Sequence, residues 1–294
     1  MYPHPCPMPM PTRLRAVQLH TGSPVVLVKE EYTHPGGSAK DRPAISMVNA
    51  AVRDGRLRPG GRILDAGSGS TAIPEAQAAA ALGHPFTAVM PESASVERQR
   101  LVRLHGGEVI LTTAAAGVRG AVVKADELER AGYGLNLKQF DNPANPEAHR
   151  NGTAVEIDAQ LGGRRADAVV CGCGTGGTLY GLWRGLTDRG HAPLAVLAKP
   201  VASGRFSGRV PGVADGMGFA TPAFLPGLQT EEVDEQEVFD ALRRLHRLGL
   251  PVGPSSGLNV AAATRVARRL GPAGTVVTVL VDRVDRYLST DLLG

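Results

Sequence analysis

One lysine and three glycine-rich turns carry the chemistry that can be read from this chain. Lys40 lies in Pro35-Gly36-Gly37-Ser38-Ala39-Lys40-Asp41-Arg42, where a glycine-containing turn leads into a segment whose pattern predicts a helix from Lys40 to Asp54. At a helix N-terminus the positive end of the dipole disfavours an ammonium. A lysine whose charged form is penalised is neutral and nucleophilic nearer pH 7, which Schiff-base chemistry requires. Most first-turn lysines are simply solvated, so Lys40 gains meaning only from its company.

Gly172-Cys173-Gly174-Thr175-Gly176-Gly177-Thr178 follows an apolar strand and opens a helix. Glycines let several backbone N–H groups converge, the dipole favours an anion there, and two threonine hydroxyls add donors. The set reads as a cup for one phosphate; the competing reading is a glycine turn that only permits close packing. Gly172, Gly174 and Gly177 also satisfy G-x-G-x-x-G. A dinucleotide site needs an acidic residue at the end of the following strand to hold the ribose, and that strand ends in Lys199-Pro200. No Gly-Lys-Ser/Thr follows the glycines, which excludes a P-loop. A second turn, Asp65-Ala66-Gly67-Ser68-Gly69-Ser70-Thr71, offers amides and hydroxyls suited to a carboxylate. In the third, Gly253-Pro254-Ser255-Ser256-Gly257, a serine either caps the helix that carries Asn259 or presents its hydroxyl to a ligand. A lysine, a one-phosphate cup and a carboxylate loop together describe pyridoxal 5′-phosphate with an amino-acid substrate.

The elements that must position these residues alternate between strand and helix. Strands are expected at Arg62–Asp65, Phe86–Met90, Val109–Leu111, Ala168–Cys171, Leu194–Ala198 and Thr275–Val281. Helices are expected at Thr71–Leu82, Ser95–Leu104, Val118–Ala131, Glu147–Gln160, Gly177–Arg189, Glu235–Leu248 and Gly257–Leu270. Repeated βα units imply α/β architecture with mostly parallel sheets covered on both faces. Asn142-Pro-Ala-Asn-Pro146 marks the boundary between two lobes. Val201–Gln229, rich in Gly, Pro and Phe, reads as a long functional loop or lid. Met1–Pro11 reads as a disordered lead or an extended arm.

Composition narrows the function. The 294 residues suffice for one large domain or two modest ones. The formal net charge of +4 is spread along the chain without basic blocks or interleaved aromatics, which argues against nucleic acid as a partner. No apolar run approaches the ~20 residues that span a bilayer, so no membrane partner is expected. The three cysteines are Cys6, Cys171 and Cys173, without zinc spacing, and the chain reads as cytoplasmic, reduced and metal-free.

Several motifs stand in collinear order from about Ser23 to Ser289. They are Pro35–Arg42, Met90-Pro-Glu92 with Glu97-Arg98, Gln139-Phe140, Asn142–Pro146, Gly174–Thr178, Ser255-Ser-Gly257 and Arg286-Tyr-Leu-Ser-Thr290. On these the chain resembles the cysteine synthase (O-acetylserine sulfhydrylase) and cystathionine β-synthase family of fold-type II pyridoxal-phosphate enzymes. The resemblance implies a tryptophan synthase β-like fold of two three-layer α/β/α lobes with mostly parallel sheets. Residues 38–143 would form the smaller, substrate-binding lobe; residues 1–37 and 144–294 would form the larger, cofactor-binding lobe. It implies pyridoxal 5′-phosphate as cofactor, with Lys40 making its Schiff base and later moving the substrate α-proton. Gly174, Thr175, Gly176, Gly177 and Thr178 would hold the phosphate, and Ser255 would face the pyridine nitrogen. A serine there does not keep the nitrogen protonated, which weakens the ring as an electron sink and favours direct β-elimination. Gly67, Ser68, Gly69, Thr71 and Gln139 would bind the substrate carboxylate.

Four departures are specific to this chain. Where the family usually has Thr-Ser-Gly-Asn-Thr-Gly, this chain has Gly67-Ser-Gly-Ser-Thr-Ala72, so Ser70 replaces the asparagine that contacts the cofactor's ring hydroxyl. That version resembles cysteine desulfhydrase-type relatives, as does Val210-Pro-Gly-Val-Ala-Asp215. His34 replaces the asparagine before Pro-Gly-Gly. The front end reads as shortened: Gly22-Ser-Pro24 runs almost directly into Val28-Lys29-Glu30, omitting a strand and a turn. Lys199-Pro200 replaces a glutamate-proline, and Arg205 and Arg209 beyond it face either an anionic leaving group or solvent. The implied reaction is β-replacement on an activated L-serine (O-acetylserine or O-phosphoserine) through an α-aminoacrylate, in a homodimer. Two alternatives stay open: β-elimination giving pyruvate, ammonia and sulfide, and a non-catalytic member of the fold that binds a partner or an amino acid.

Overall fold

The structure, a computed structural model, describes residues 6–201, 219, 221 and 223–290. From Cys6 the chain runs without regular structure, pinned where Asn49 bonds both the Cys6 N–H (2.9 Å) and its carbonyl (2.8 Å). Strands β1 (Leu14–Gln18) and β2 (Val25–Glu30) then pair antiparallel across a turn in which the Ser23 hydroxyl donates to the His20 carbonyl (2.9 Å). Strand β1 and its turn lead to Gly22-Ser-Pro24, and β2 begins at Val25 immediately after it. Strand β1 escaped notice in the sequence because it is mostly half-buried or exposed and carries no apolar run.

Helix α1 (Asp41–Arg53) leads into β3 (Ile63–Ala66), α2 (Ala72–Leu82), β4 (Phe86–Pro91), α3 (Val96–Leu104), β5 (Glu108–Thr112), α4 (Gly117–Arg130) and the two-residue β6 (Leu135–Asn136). These strands form a parallel sheet in the order β5-β4-β3-β6. Met47, Val48, Ile73 and Ala79 of α1 and α2 pack on one face with Ile63 and Phe86. Ala121 and Ala125 of α4 pack on the other with Ala66 and Val89. Both β3 and β4 are buried throughout, as strands covered on two faces must be.

Next come α5 (Ala144–Ala148), a single π-helical turn (His149–Thr153) and α6 (Ala154–Leu161), so the one helix expected over Glu147–Gln160 is interrupted. The chain continues through β7 (Ala168–Gly172), α7 (Gly177–Thr187), β8 (Leu194–Pro200), β9 (Gln229–Val233), α8 (Glu235–Arg247), α9 (Pro254–Leu270) and β10 (Val276–Leu280). The second sheet has the order β1-β2-β10-β7-β8-β9 and is parallel except for β1. Successive strand residues face opposite layers. Val28, Val170 and Val196 meet α8 and α9 through Leu242 and Leu258; Val169 and Val277 meet α6 and α7 through Ile157 and Leu179. Both sheets are thus three-layer α/β/α units. Among the described residues no helix is long and apolar enough to cross a membrane.

Candidate active site

Parallel α/β sheets bind ligands at the carboxyl ends of their strands, and the residues singled out above gather there. The turn before α1 is fastened to the end of β10. Ala39 N–H donates to the Val281 carbonyl (2.8 Å), Arg283 N–H donates to the Gly37 carbonyl (3.0 Å), and the Ser38 hydroxyl donates to the Asp282 carboxylate. Lys40 caps α1 and lines two adjoining hollows of about 70 and 60 Å³. Burial pushes its ammonium pKa down, partly opposed by the negative charge of Asp282. The direction agrees with the dipole argument, but the larger cause is desolvation. The Lys40 side chain makes no hydrogen bond or ion pair among the described residues.

The smaller hollow opens onto the glycine turn before α7, where Gly176 has φ +80°. Thr175 Oγ1 accepts from Asn145 Nδ2 (2.9 Å) and from Gly177 N–H (3.3 Å). A Cβ on Gly177 would lie 2.2 Å from Asn145 Oδ1, so only glycine fits beneath that asparagine. Thr178 Oγ1 pairs with His149 Nε2 (3.2 Å), whose Nδ1 pairs with Thr153 Oγ1 (3.0 Å). The π turn thus orients a neutral imidazole, its pKa pushed down to about 3 by burial, against a cup hydroxyl. Of the two serines at the start of α9, Ser256 is fully buried and accepts the Val281 N–H (2.9 Å). Ser255 is half-buried and lines both hollows.

The larger hollow is bounded by Ser68, Ser70 and Thr71 of the loop after β3. Thr71 Oγ1 donates to Gln139 Oε1 (2.7 Å), while Gln139 Nε2 donates to Asp65 Oδ2 (2.5 Å) and to the Ala66 carbonyl (2.6 Å). Gln139 therefore reaches the loop with both amide hydrogens committed. A Cβ on Gly67 would lie 2.5 Å from that amide nitrogen. Lys138, immediately before it, adopts φ +55°, a conformation that costs a non-glycine residue about 1–2 kcal/mol and turns Gln139 inward. Asn145 Nδ2 also donates to the Gln139 carbonyl (2.8 Å), so one asparagine joins the carboxylate loop to the phosphate cup.

Sequence reasoning missed two charged residues of this hollow. Asp282 accepts from Ser38, from Ser70 Oγ (3.3 Å) and from Tyr287 Oη (2.8 Å). Burial alone would raise its pKa, but the charges of Arg286 and Arg98 outweigh it and hold the carboxyl below its usual range. Arg98 is buried, donates to the Ser68 carbonyl (3.0 Å) and lies over the Tyr287 ring at 5.1 Å; its Nε has no partner among the described residues. The available signal for Asp282 was its place two residues beyond an apolar strand. His34 lies elsewhere, bonded to Glu31 (3.2 Å). Arg205, Arg209, Val210–Asp215 and most of the expected lid lie outside the described residues.

The residues fit pyridoxal 5′-phosphate. An unpaired amine stands between an anion cup at a helix N-terminus and a hydroxyl-lined hollow, and the Ser255 hydroxyl borders both. The comparisons agree. A cysteine synthase of Staphylococcus aureus (strain Mu50 / ATCC 700699) is 41% identical over 276 residues, spanning 91% of this chain and 88% of that protein. The crystal structure of O-ureido-L-serine synthase matches 96% of this chain and 92% of its own, with a TM-score of 0.83 at 38% identity. The O-acetylserine dependent cystathionine beta-synthase from Helicobacter pylori matches 96% of this chain and 95% of its own, with a TM-score of 0.84 at 31% identity. The model of the family described as pyridoxal-phosphate dependent enzyme matches residues 3–282, and the chain belongs to that family.

Proposed function

We propose that this pyridoxal-phosphate-dependent β-replacement enzyme takes an L-serine activated on its side-chain oxygen, as O-acetylserine or O-phosphoserine, and replaces the leaving group with a nucleophile, sulfide being the reference case. When bound, pyridoxal 5′-phosphate withdraws electrons from the substrate Cα. The chain's own residues do the rest. The amides and hydroxyls of Gly174–Thr178 hold the phosphate, and the Ser255 hydroxyl meets the pyridine nitrogen. The loop Gly67–Thr71 receives the substrate carboxylate. Lys40, kept from being a permanent ammonium by burial, takes the proton from the substrate Cα at Nζ, where Asp282 favours the charge it acquires. Ser70 shares its hydroxyl between Asp282 and the cavity. The observation that carries this reading is the position of Lys40 on the wall of both hollows.

The test adds O-acetylserine, O-phosphoserine and cysteine separately to the holoenzyme, with and without sulfide, and follows absorbance and products. Cysteine formed from one of the two esters supports replacement and names the donor. Rapid pyruvate release with cysteine as the best substrate would assign elimination instead. Purified protein that stays colourless with added pyridoxal phosphate would sink both. A cytoplasmic homodimer completes the proposal; the three free, buried cysteines support a reducing compartment, and sedimentation equilibrium measures the assembly.

A further inference from the structure

One buried titratable group takes no part in the chemistry above. Glu75, in the first turn of α2, is fully buried, and neither carboxyl oxygen has an N–H or hydroxyl partner among the described residues. The group within hydrogen-bonding reach is the carboxyl of Asp65, also buried, at the end of β3. Asp65 is the acceptor that holds Gln139, through the Gln139 N–H (3.2 Å) and its side-chain amide (2.5 Å).

No cation among the described residues neutralises the pair. Arg42 of α1 turns to Glu31 and Glu156, and Arg98 of α3 to Ser68 and Tyr287. His105, after α3, faces Gln77. Lys124 of α4 pairs with Glu127, and Lys138 pairs with Glu129 and Asp126. His84, beyond the far end of α2, faces the Gly61 carbonyl. Among the described residues the only charge that reaches Glu75 is that of Asp65. Two adjacent buried carboxylates without a cation do not both ionise, and a hydrogen bond between carboxyl groups needs a proton in it.

We infer that Asp65 and Glu75 share one proton and act together as the positioning pair for Gln139, setting the charge behind the loop that receives the substrate carboxylate. Burial raises both pKa values, that of Asp65 to about 7. Loss of the shared proton on the alkaline side places a second negative charge behind the loop, where it repels the substrate's own carboxylate. The inference rests on the assignment of Gly67–Thr71 to that carboxylate.

Glu75→Gln keeps the shape and a hydrogen to donate to Asp65, but cannot titrate. The experiment measures KM and kcat against pH for the serine ester that the holoenzyme turns over, in the natural protein and in E75Q. Infrared titration of the protonated-carboxyl stretch runs in parallel. In the natural protein KM is expected to rise about tenfold on the alkaline side, without a matching change in kcat, as the carboxyl band disappears. In E75Q the alkaline rise and the band loss that accompanies it are expected to be absent, leaving only the titration of Asp65 at about 7. An E75Q profile that follows the natural one, or a natural protein with no titrating carboxyl band, overturns the pair. If E75Q is recovered unfolded, Glu75→Met removes the same carboxyl without leaving a polar group to bury. A natural protein that turns over no serine ester defeats the functional reading, while the infrared titration still decides the pair.

Discussion

Lys29 is fully buried and Lys40 half-buried, and the difference between their partners defines the site. Lys29 donates to the Thr12 carbonyl (2.6 Å) and to Gln160 (3.1 Å), and pairs with Glu156 (2.8 Å). Among the described residues Lys40 has no such partners, which leaves its amine free to react. Lys40→Ala is expected to lower turnover by about 10³-fold or more while leaving thermal unfolding nearly unchanged. Borohydride reduction of the loaded natural protein should label the peptide that contains Lys40, and a label elsewhere would refute the assignment. Because burial lowers the Lys40 pKa and the neutral amine is the reactive form, the rate of cofactor uptake should climb with pH. It should reach its plateau below the pH at which an exposed lysine would. At this scale the sequence is only partly legible. Adjacent serines 255 and 256 are chemically identical, and only the packing of α9 against β10 sends one to the cavity and the other into the core.

Helix α7 shows how an element positions chemistry. Its first residue, Gly177, lies under Asn145, which holds both Thr175 and Gln139. Gly177→Ala is expected to displace Asn145, to cost about 1–3 kcal/mol of stability, and to weaken cofactor binding. Urea unfolding and a pyridoxal phosphate titration measure the two effects. An Ala variant with natural affinity would show that the cup does not depend on Asn145. The strands β3, β4, β7, β8 and β10 were legible because each is a mostly buried apolar run between turn residues. Strands β6 and β9 were not. The first has two residues, and the second, Gln-Thr-Glu-Glu-Val, is a polar edge in which charge discourages further pairing. The π turn was equally hidden, because nothing in His-Arg-Asn-Gly-Thr departs from ordinary helix composition.

Across the whole molecule, two buried charge systems oppose each other in pH. Arg42 in α1 bonds both Glu31, just after β2, and Glu156 in α6. Although burial works against them, hydrogen bonds from His34 and Arg42 to Glu31, and from Arg42 and Lys29 to Glu156, hold both carboxyls below their usual range. Their contribution is complete above the ordinary carboxylate pKa of 4.5 and is lost as pH falls through the depressed values. Asp65 has the reverse sign: its folded pKa is raised from 3.8 to about 7, so stability falls as pH rises between them. Urea midpoints measured across that range should therefore fall toward neutral pH in the natural protein and fall less in Asp65→Asn. Arg42→Met, which leaves Glu31 buried without its cation, is expected to cost about 3–5 kcal/mol. The chain order of the site has one more consequence. The turn that carries Lys40 is fastened to Val281, Asp282 and Arg283, and the Ser38–Asp282 contact closes over 244 positions. A ribosome therefore exposes the reactive lysine long before it delivers the strand that seats it. Pyridoxal phosphate has no finished site on the growing chain until β10 is made, so its loading cannot serve as a template for folding the sheet of β3 to β6.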